Sequence, residues 1–441
     1  MHGTEVHDTP ERARCPPPSP GLTRVAPGAA GPSRRAGPAL LVYGLAAVAV
    51  PPCPAAAQAS WPPRVNLGDG AFVLEPTVLL QLDTGSTFAH NRPGGPGAGW
   101  NPRRARLGVQ GEFLRDFQYN VTWDFGGSPG ERNRLHEASL SYGGFGPVTL
   151  SGGVFEPSFS LQREQGAKNL VFLERAAVVQ AAADDVAAGA GRVGAQVQAN
   201  GARWFAAAAL SGGETGPGTD SSQRGAVVRL AGLPVRTEDA ALHLGFSGAW
   251  SFRPARGENG RRSISFSDRG ELELDRRDPA LRTGSIPTGD VRTGGVELGL
   301  AWRRLQLQGE WYAISVRRGG ERGGTLDFSG WYAQASYTLL GRPRRYQPDS
   351  ATWGGPGSDD DAFNPGEGRW GALELAARVS VLDLNDRDVR GGRQSIWSGG
   401  LGWWPVTDVG AFLQWQHVEV VGRPAGDRRY QTLAVRVLAS F

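Results

Sequence analysis

The chain ends on a run, Tyr430 to Phe441, in which Leu433, Val435, Val437, Ala439 and Phe441 fall on one side and Thr432, Ala434, Arg436, Leu438 and Ser440 on the other. Period two is the period of a strand, because successive side chains of an extended backbone point to opposite faces. A helix would mix the two sets. The same pattern recurs upstream. Phe117, Tyr119, Val121, Trp123 and Phe125 oppose Gln118, Asn120, Thr122 and Asp124, and Leu305, Leu307, Trp311 and Ala313 oppose Gln306, Gln308, Glu310 and Tyr312. Leu373, Leu375, Val379 and Val381 oppose Glu374, Arg378 and Ser380. Each run is followed by a cluster of Gly, Pro, Asp or Asn. The fold class is all-β.

Alternation alone does not separate a soluble sheet from one in a membrane. Here Trp and Tyr continue the apolar face near strand ends, among them Tyr119, Trp123, Tyr142, Trp302, Trp331, Tyr337 and Trp403. Aromatic girdles at both interfaces are what a lipid-facing barrel wall carries. No open sheet edge survives in lipid, so the strands must close. The expected architecture is a closed antiparallel transmembrane β-barrel facing outer-membrane lipid. At ~24 residues per strand and connection, residues 71–441 supply ~16 strands. Tight connections fall at Phe113–Asp116, Gly143–Pro147, Asn200–Ala202 and Trp404–Asp408. Long ones fall at Ala89–Arg103, Gly212–Gln223, Arg253–Asp290, Arg317–Leu326, Gly341–Gly368 and Asn385–Gln394. Short periplasmic turns and long extracellular loops give that rhythm.

Residues 1–59 read as a leader. Arg34 and Arg35 precede an apolar stretch, Pro38 to Val50, and Pro51 to Ala59 supplies small residues for cleavage after Ala57 or Ala59. That is the pattern of a secretory signal peptide, with a start codon placed too early accounting for the first residues. Both cysteines, Cys15 and Cys53, lie in this leader, which fits an exported chain not built on disulfides. Residues 60–70 form a short N-terminal segment. The formal net charge is only +4, which gives no electrostatic case for nucleic-acid binding. Ending on an aromatic residue also suits recognition of the last strand, through Phe441, by the outer-membrane assembly machinery.

No H-E-x-x-H, P-loop, Cys cluster or G-x-S-x-G motif is present, so no enzyme, cofactor or metal is expected. Arginine is the residue type that could carry function, since Lys168 is the only lysine. A ring of guanidinium groups facing a pore selects anions, and its fork geometry suits phosphate oxygens. The competing reading is compositional, with Arg replacing Lys throughout and most of these groups solvated. Alternation turns Arg104, Arg106, Arg378 and Arg436 inward. Glu374, on the same face as Arg378, stands as its partner. The segment near 155–190 breaks the alternation yet carries Phe and Leu that need a surface to pack on. It is expected to fold into the lumen as a constriction loop, with Arg163, Lys168 and Arg175 at the narrowest part opposite Glu164 and Glu174. An ordinary plug or outer loop is the alternative.

At these residues the chain resembles the phosphate-selective porin O and P family. The likeness is carried by Arg103-Arg104-Ala105-Arg106-Leu107-Gly108, by Gly153–Leu161 followed by Phe172-Leu173-Glu174-Arg175, by Gly330–Leu340 with Arg345-Tyr346, and by Trp370–Asp386. The resemblance implies a 16-stranded barrel, a homotrimer, and an arginine-lined eyelet passing small anions. One position departs from the family pattern. Where such sequences place a Lys after the G-x-F of the fifth strand, this chain has Glu156, and a negative group there weakens anion attraction.

The expected function is passive diffusion of small anions, phosphate or polyphosphate among them, across the bacterial outer membrane. The alternatives are a non-selective porin and a closed structural or adhesive barrel. In the adhesive reading, Arg253–Asp290 and Gly341–Gly368 are the binding surfaces, with Asp359, Asp360 and Asp361 contributing to a calcium site.

Overall fold

The computed structural model describes residues 63–441 except 69–70, 90–96, 128–133, 217–218, 258, 275–278, 321–322 and 358–362. The leader read over residues 1–59 and the acidic run Asp359–Asp361 lie outside the described residues. Sixteen strands pair in chain order: β1 (Phe72–Ala89), β2 (Gly97–Phe113), β3 (Phe117–Asp124), β4 (Arg134–Phe145), β5 (Val148–Phe155), β6 (Arg192–Gly201), β7 (Trp204–Glu214) and β8 (Arg224–Arg236) make one half. The other half is β9 (Ala240–Arg253), β10 (Ile286–Trp302), β11 (Leu305–Arg318), β12 (Thr325–Leu340), β13 (Ala372–Asp386), β14 (Val389–Val406), β15 (Val409–Val421) and β16 (Arg428–Ser440).

Every neighbour is antiparallel, and β16 returns to β1 with Leu79 opposite Ser440 and Ser86 opposite Leu433. Phe441 completes the seam by exchanging backbone hydrogen bonds with Val78 at 2.8 and 3.0 Å. Beyond that point the edge of β1 is covered by a short strand, Val65–Leu67, which pairs with Phe72–Leu74. The barrel is thus closed on itself, which lipid requires. The outward set of β16 is exposed, including Leu433, Val435 and Val437, while Thr432, Ala434, Arg436 and Leu438 are buried. No helix among the described residues is long enough to cross a membrane; the strands do so.

Two connections differ from expectation. Each strand reverses its predecessor, so 341–371, which follows β12, emerges at the end that carries the tight turns and not among the long outer loops. Asn385–Gln394 is no loop: β13 and β14 pair up to Asp386 opposite Val389, leaving only Arg387 and Asp388 in the turn. Strands that rise above the apolar band are wetted on both faces. Their polar composition then reads as loop.

The lumen is not polar throughout. On the loop-end halves of β11 to β15 the inward positions include Ile314, Val316, Leu326, Phe328, Leu382, Ile396, Val418 and Val420, all buried. They form a core inside the barrel with helix α2 (Ala177–Ala183) and with Phe266 and Leu281 of the 254–285 connection. The hydrophobic effect that usually joins two sheets here joins the wall to chain folded into the bore.

Candidate functional site

The segment 156–191 begins at the end of β5 and crosses to the far wall. Its first turn, α1 (Leu161–Glu164), is capped by Ser160, which holds a left-handed φ of 65°. That strained backbone is pinned on both sides. The Ser160 amide donates to Ser247 Oγ of β9 at 2.9 Å, and its hydroxyl donates to Glu310 of β11 at 2.7 Å. The Gln162 amide donates to the other Glu310 oxygen at 2.6 Å. Further along, Phe172, Leu173 and the α2 valines are buried. This packing fills the β9–β16 side of the bore and leaves a cavity beside β2 to β4.

In that remaining space Glu174 is gripped by arginines from two strands. Arg103 Nε donates to it at 2.9 Å, Arg104 Nη2 at 3.0 Å and Arg436 Nη2 at 2.7 Å. Arg436 also forks onto Asp83 of β1 at 2.6 and 2.7 Å, and Arg378 Nη1 donates to the Glu174 carbonyl at 2.9 Å. Burial opposes the charge of Glu174, but Arg103, Arg104 and Arg436 outweigh it and hold the carboxyl well below its ordinary range.

Arg103 and Arg104 both point inward because of a β-bulge. Gln81 faces Arg104 while Leu82 faces Pro102, so Arg103 is the extra residue on β2. Strict alternation would have sent it to lipid, and sequence reasoning missed it for that reason. The Arg-Arg doublet was the available signal.

The cavity beside this cluster measures about 290 Å³ and is lined by six arginines (103, 104, 106, 134, 163 and 175) against five carboxylates (Asp124, Glu156, Glu164, Glu174 and Asp184). Arg106 pairs with Asp124 at 2.8 Å. Arg163 pairs with Asp184 at 2.7 Å and closely with Glu156. Burial disfavours the Arg163 charge, yet Asp184 and Glu156 raise its hold on the proton. Glu156 and Asp184 therefore share one guanidinium. Arg175 is different: it donates to the carbonyls of Gln162, Arg163 and Gln165 at 3.1, 3.0 and 2.8 Å. Burial first, then Arg163 beside it, bring it down to about 10, which leaves it cationic at neutral pH.

Of the seven arginine and lysine positions singled out from sequence, Arg104, Arg106, Arg163 and Arg175 line this cavity. Arg436 joins it through Glu174. Arg378 lies deeper, 2.5 Å from Glu271 of the 254–285 connection, and Lys168 is exposed, 3.7 Å from Asp408 in the turn before β15. The expected Glu374–Arg378 pair does not form. Residues four apart on one strand stand roughly 13 Å apart, and Glu374 is taken instead by Arg344 at 2.8 and 2.7 Å. Sequence reasoning also missed Arg134 and Asp184, whose neighbourhood depends on the fold of the crossing segment. Among the described residues no group of three or more His, Cys, Asp or Glu is placed to hold a metal.

The chain matches the family described as phosphate-selective porin O and P over residues 79–437. It is similar to Porin O of Pseudomonas aeruginosa, 27% identical over 306 residues that cover 65% of this chain and 67% of that one. In fold it is similar to the anion-selective porin of Comamonas acidovorans, with a TM-score of 0.52 at 11% identity, covering 84% of this chain and 100% of that chain. It is likewise similar to the trimer form of OmpT of Vibrio cholerae, with a TM-score of 0.50 at 9% identity and coverage of 84% and 100%.

Proposed function

The chain belongs to the phosphate-selective porin O and P family and is a channel of the bacterial outer membrane, and from that premise we propose that it prefers anions, phosphate among them, at the eyelet beside Glu174. One observation carries the reading. Arg175 brings a positive charge to the cavity wall with no carboxylate bonded to it, whereas Arg106 is matched by Asp124 and Arg163 is shared by Glu156 and Asp184. Glu156, the position that departs from the family pattern, shares Arg163 with Asp184, and the surplus that remains is that of six arginines over five carboxylates in the described lining. Guanidinium donors suit the oxygens of phosphate better than they suit chloride.

One charge about 5 Å from a permeating ion in a water-like dielectric contributes about 0.8 kcal/mol, a factor of about four. Reversal potentials in a salt gradient should therefore show anion preference, and because the same charge repels a cation by as much, Arg175→Gln should lower the anion-to-cation permeability ratio by up to about sixteenfold. Cation preference in the unmodified protein would sink the reading and leave the channel intact. The near balance of six arginines and five carboxylates favours a second reading, a non-selective porin, for which the reversal potential stays near zero.

The assembly we propose is a homotrimer joined through β3 to β5. β3 and β5 have only 8 residues each, and tilted by ~45° they rise roughly 19 Å, short of an apolar band ~25 Å tall. A wall too short to span lipid is better covered by another copy. Heat-modifiable bands at three times the monomer mass would support it; a monomer in mild detergent by light scattering would not.

A further inference from the structure

On the outer face of the wall, β6 to β9 leave a groove of about 790 Å³ at the loop end. Its floor is apolar, made by Val193 and Ala195 of β6, Leu210 of β7 and Phe252 of β9, all exposed. Its rim is polar, with Ser221 of the 212–223 connection and Arg224, the first residue of β8. Arg224 Nη1 donates to the carbonyls of Ser221 and Gln223 at 2.7 and 2.6 Å, which leaves Nε and Nη2 without a bond among the described residues. Arg253 stands opposite Arg224 in the β8–β9 register. It is exposed too, and neither arginine meets a carboxylate among the described residues. Like charges facing one another across a strand pair are destabilising. Glu214, the one carboxylate in the described lining, is taken by Arg134 and Arg192 at 3.4 and 3.3 Å. Asp220 turns its oxygens to Ser222 and to the Arg256 amide. Other arginines at this end are matched: Arg292 and Arg317 by Asp290, and Arg318 by Asp388. Two unmatched cations in register are therefore a local feature and not a mere product of Arg-rich composition.

The height of the pair points to its occupant. Arg224 and Arg236 bracket the outward set of β8, which includes Ala226, Val228 and Leu230. The twelve-residue span, tilted by ~45°, rises roughly 28 Å, close to the apolar band ~25 Å tall. Arg224 thus stands at the headgroup level of the outer leaflet, and the groove runs from it into the acyl region. Trp250 and Phe252, packed edge to face with ring centroids 5.3 Å apart, mark the same level, where girdle aromatics sit. We propose that this groove binds a phosphorylated glycolipid of the outer leaflet. One acyl chain lies along Val193, Ala195, Leu210 and Phe252, and a sugar phosphate sits between Arg224 and Arg253. Guanidinium forks suit phosphate oxygens, and the Ser221 hydroxyl offers a sugar a hydrogen-bond partner. A soluble anion would leave the apolar floor unused, and an uncharged lipid would leave both cations unmatched. The groove lies outside β3 to β5, the wall assigned to the trimer, so it stays open to lipid. The inference concerns the outer wall and does not depend on the selectivity of the eyelet.

The test is native mass spectrometry of the protein in zwitterionic detergent, titrated with diphosphoryl lipid A. Saturable binding is expected. Each charge about 5 Å from a phosphate contributes a factor of about four in a water-like dielectric, so Arg224→Gln with Arg253→Gln should weaken binding at least about tenfold. Arg224→Glu is the second variant and should weaken it further; heat-modifiable gel mobility verifies that both barrels fold. Arg393→Gln, at an exposed arginine of β14, should leave the affinity in place. Unchanged affinity in both groove variants overturns the proposal, as does an equal loss in Arg393→Gln, which would make the attraction unspecific. Displacement of lipid A by inorganic phosphate would assign the arginine pair to a soluble anion and defeat the lipid. Cardiolipin, with two phosphates and no sugar phosphate, is the charge-matched control. If it binds as tightly, the groove reads charge and chain alone and the glycolipid is wrong.

Discussion

Glu174 shows how much one side chain settles in this lumen. Its carboxylate collects Arg103, Arg104 and Arg436, and its exposure is only 5%. Removing one partner from a buried ion cluster leaves uncompensated charge and costs about 3–5 kcal/mol. Glu174→Gln should lower the urea unfolding free energy by that amount, and an unchanged midpoint would defeat the anchoring role. The pH dependence follows from the depressed carboxyl. A group whose folded pKa lies below its unfolded value of about 4.3 contributes stability above that value and loses it only as pH falls through the lower, folded one. The stabilisation supplied by the Glu174 cluster, read as the difference in urea unfolding free energy between the unmodified protein and Glu174→Gln, should thus hold steady from pH 7 to about 4.5, and a change in that difference near pH 6 would point to a different controlling group. The inward direction of Arg104, Arg106 and Arg436 was legible from period two. Arg103 was not, because a bulge is a single inserted residue with no compositional mark. Nor was the pairing of Glu156, which needs Arg163 brought back by a turn.

Among the elements, the crossing segment is met from the other end of the barrel. The connection 341–371 rises from the tight-turn end, and Arg344 donates to the carbonyl of Asn169 and, at 3.0 Å, to that of Gly354, while forking onto Glu374. Thr352 donates its hydroxyl to the Leu161 carbonyl at 2.8 Å, and Ser350 and Ala351 offer carbonyls to Arg229 at 2.7 and 2.8 Å. Two infolded pieces therefore brace one another, which explains why the bore stays filled beside β8 to β13. Arg344→Ala strands the buried Glu374 and frees this brace. Stability to urea should fall by about 3–5 kcal/mol, and open-channel noise should rise as 341–371 loosens; quiet, full-strength channels would show that the brace is dispensable. Strand existence and order were legible because alternation is a local signal. The end at which 341–371 emerges was not. It follows from counting reversals, and the length of a connection carries no mark of the end at which it lies.

Across the whole molecule the charges are arranged along the axis. At the loop end a cavity is lined, among the described residues, by Arg261, Arg262, Arg282, Arg318, Arg390 and Arg423 with Asp388 as the one carboxylate, and the eyelet has a small positive excess. Near the tight turns the same β1–β4 wall opens into a cavity of about 510 Å³ bearing Glu75, Glu112 and Glu137, with Arg64 the one basic residue in its lining among the described residues. Arg64 is spent on Glu75 at 3.2 Å. Anions are therefore enriched at one mouth and cations at the other. A voltage that drives anions inward from the loop end and cations outward from the turn end fills the bore from both sides, and the reverse voltage empties it. The current should rectify, being larger when the loop side is negative. Fixed charge acts over about 10 Å at 0.1 M salt and about 3 Å at 1 M, so the asymmetry should be clear at the lower salt and fade at the higher. Glu112→Gln with Glu137→Gln should reduce it at 0.1 M without closing the channel, because both residues lie outside the eyelet. Rectification that persists unchanged at 1 M, or survives that double change, would assign the asymmetry to pore shape and not to the charge gradient.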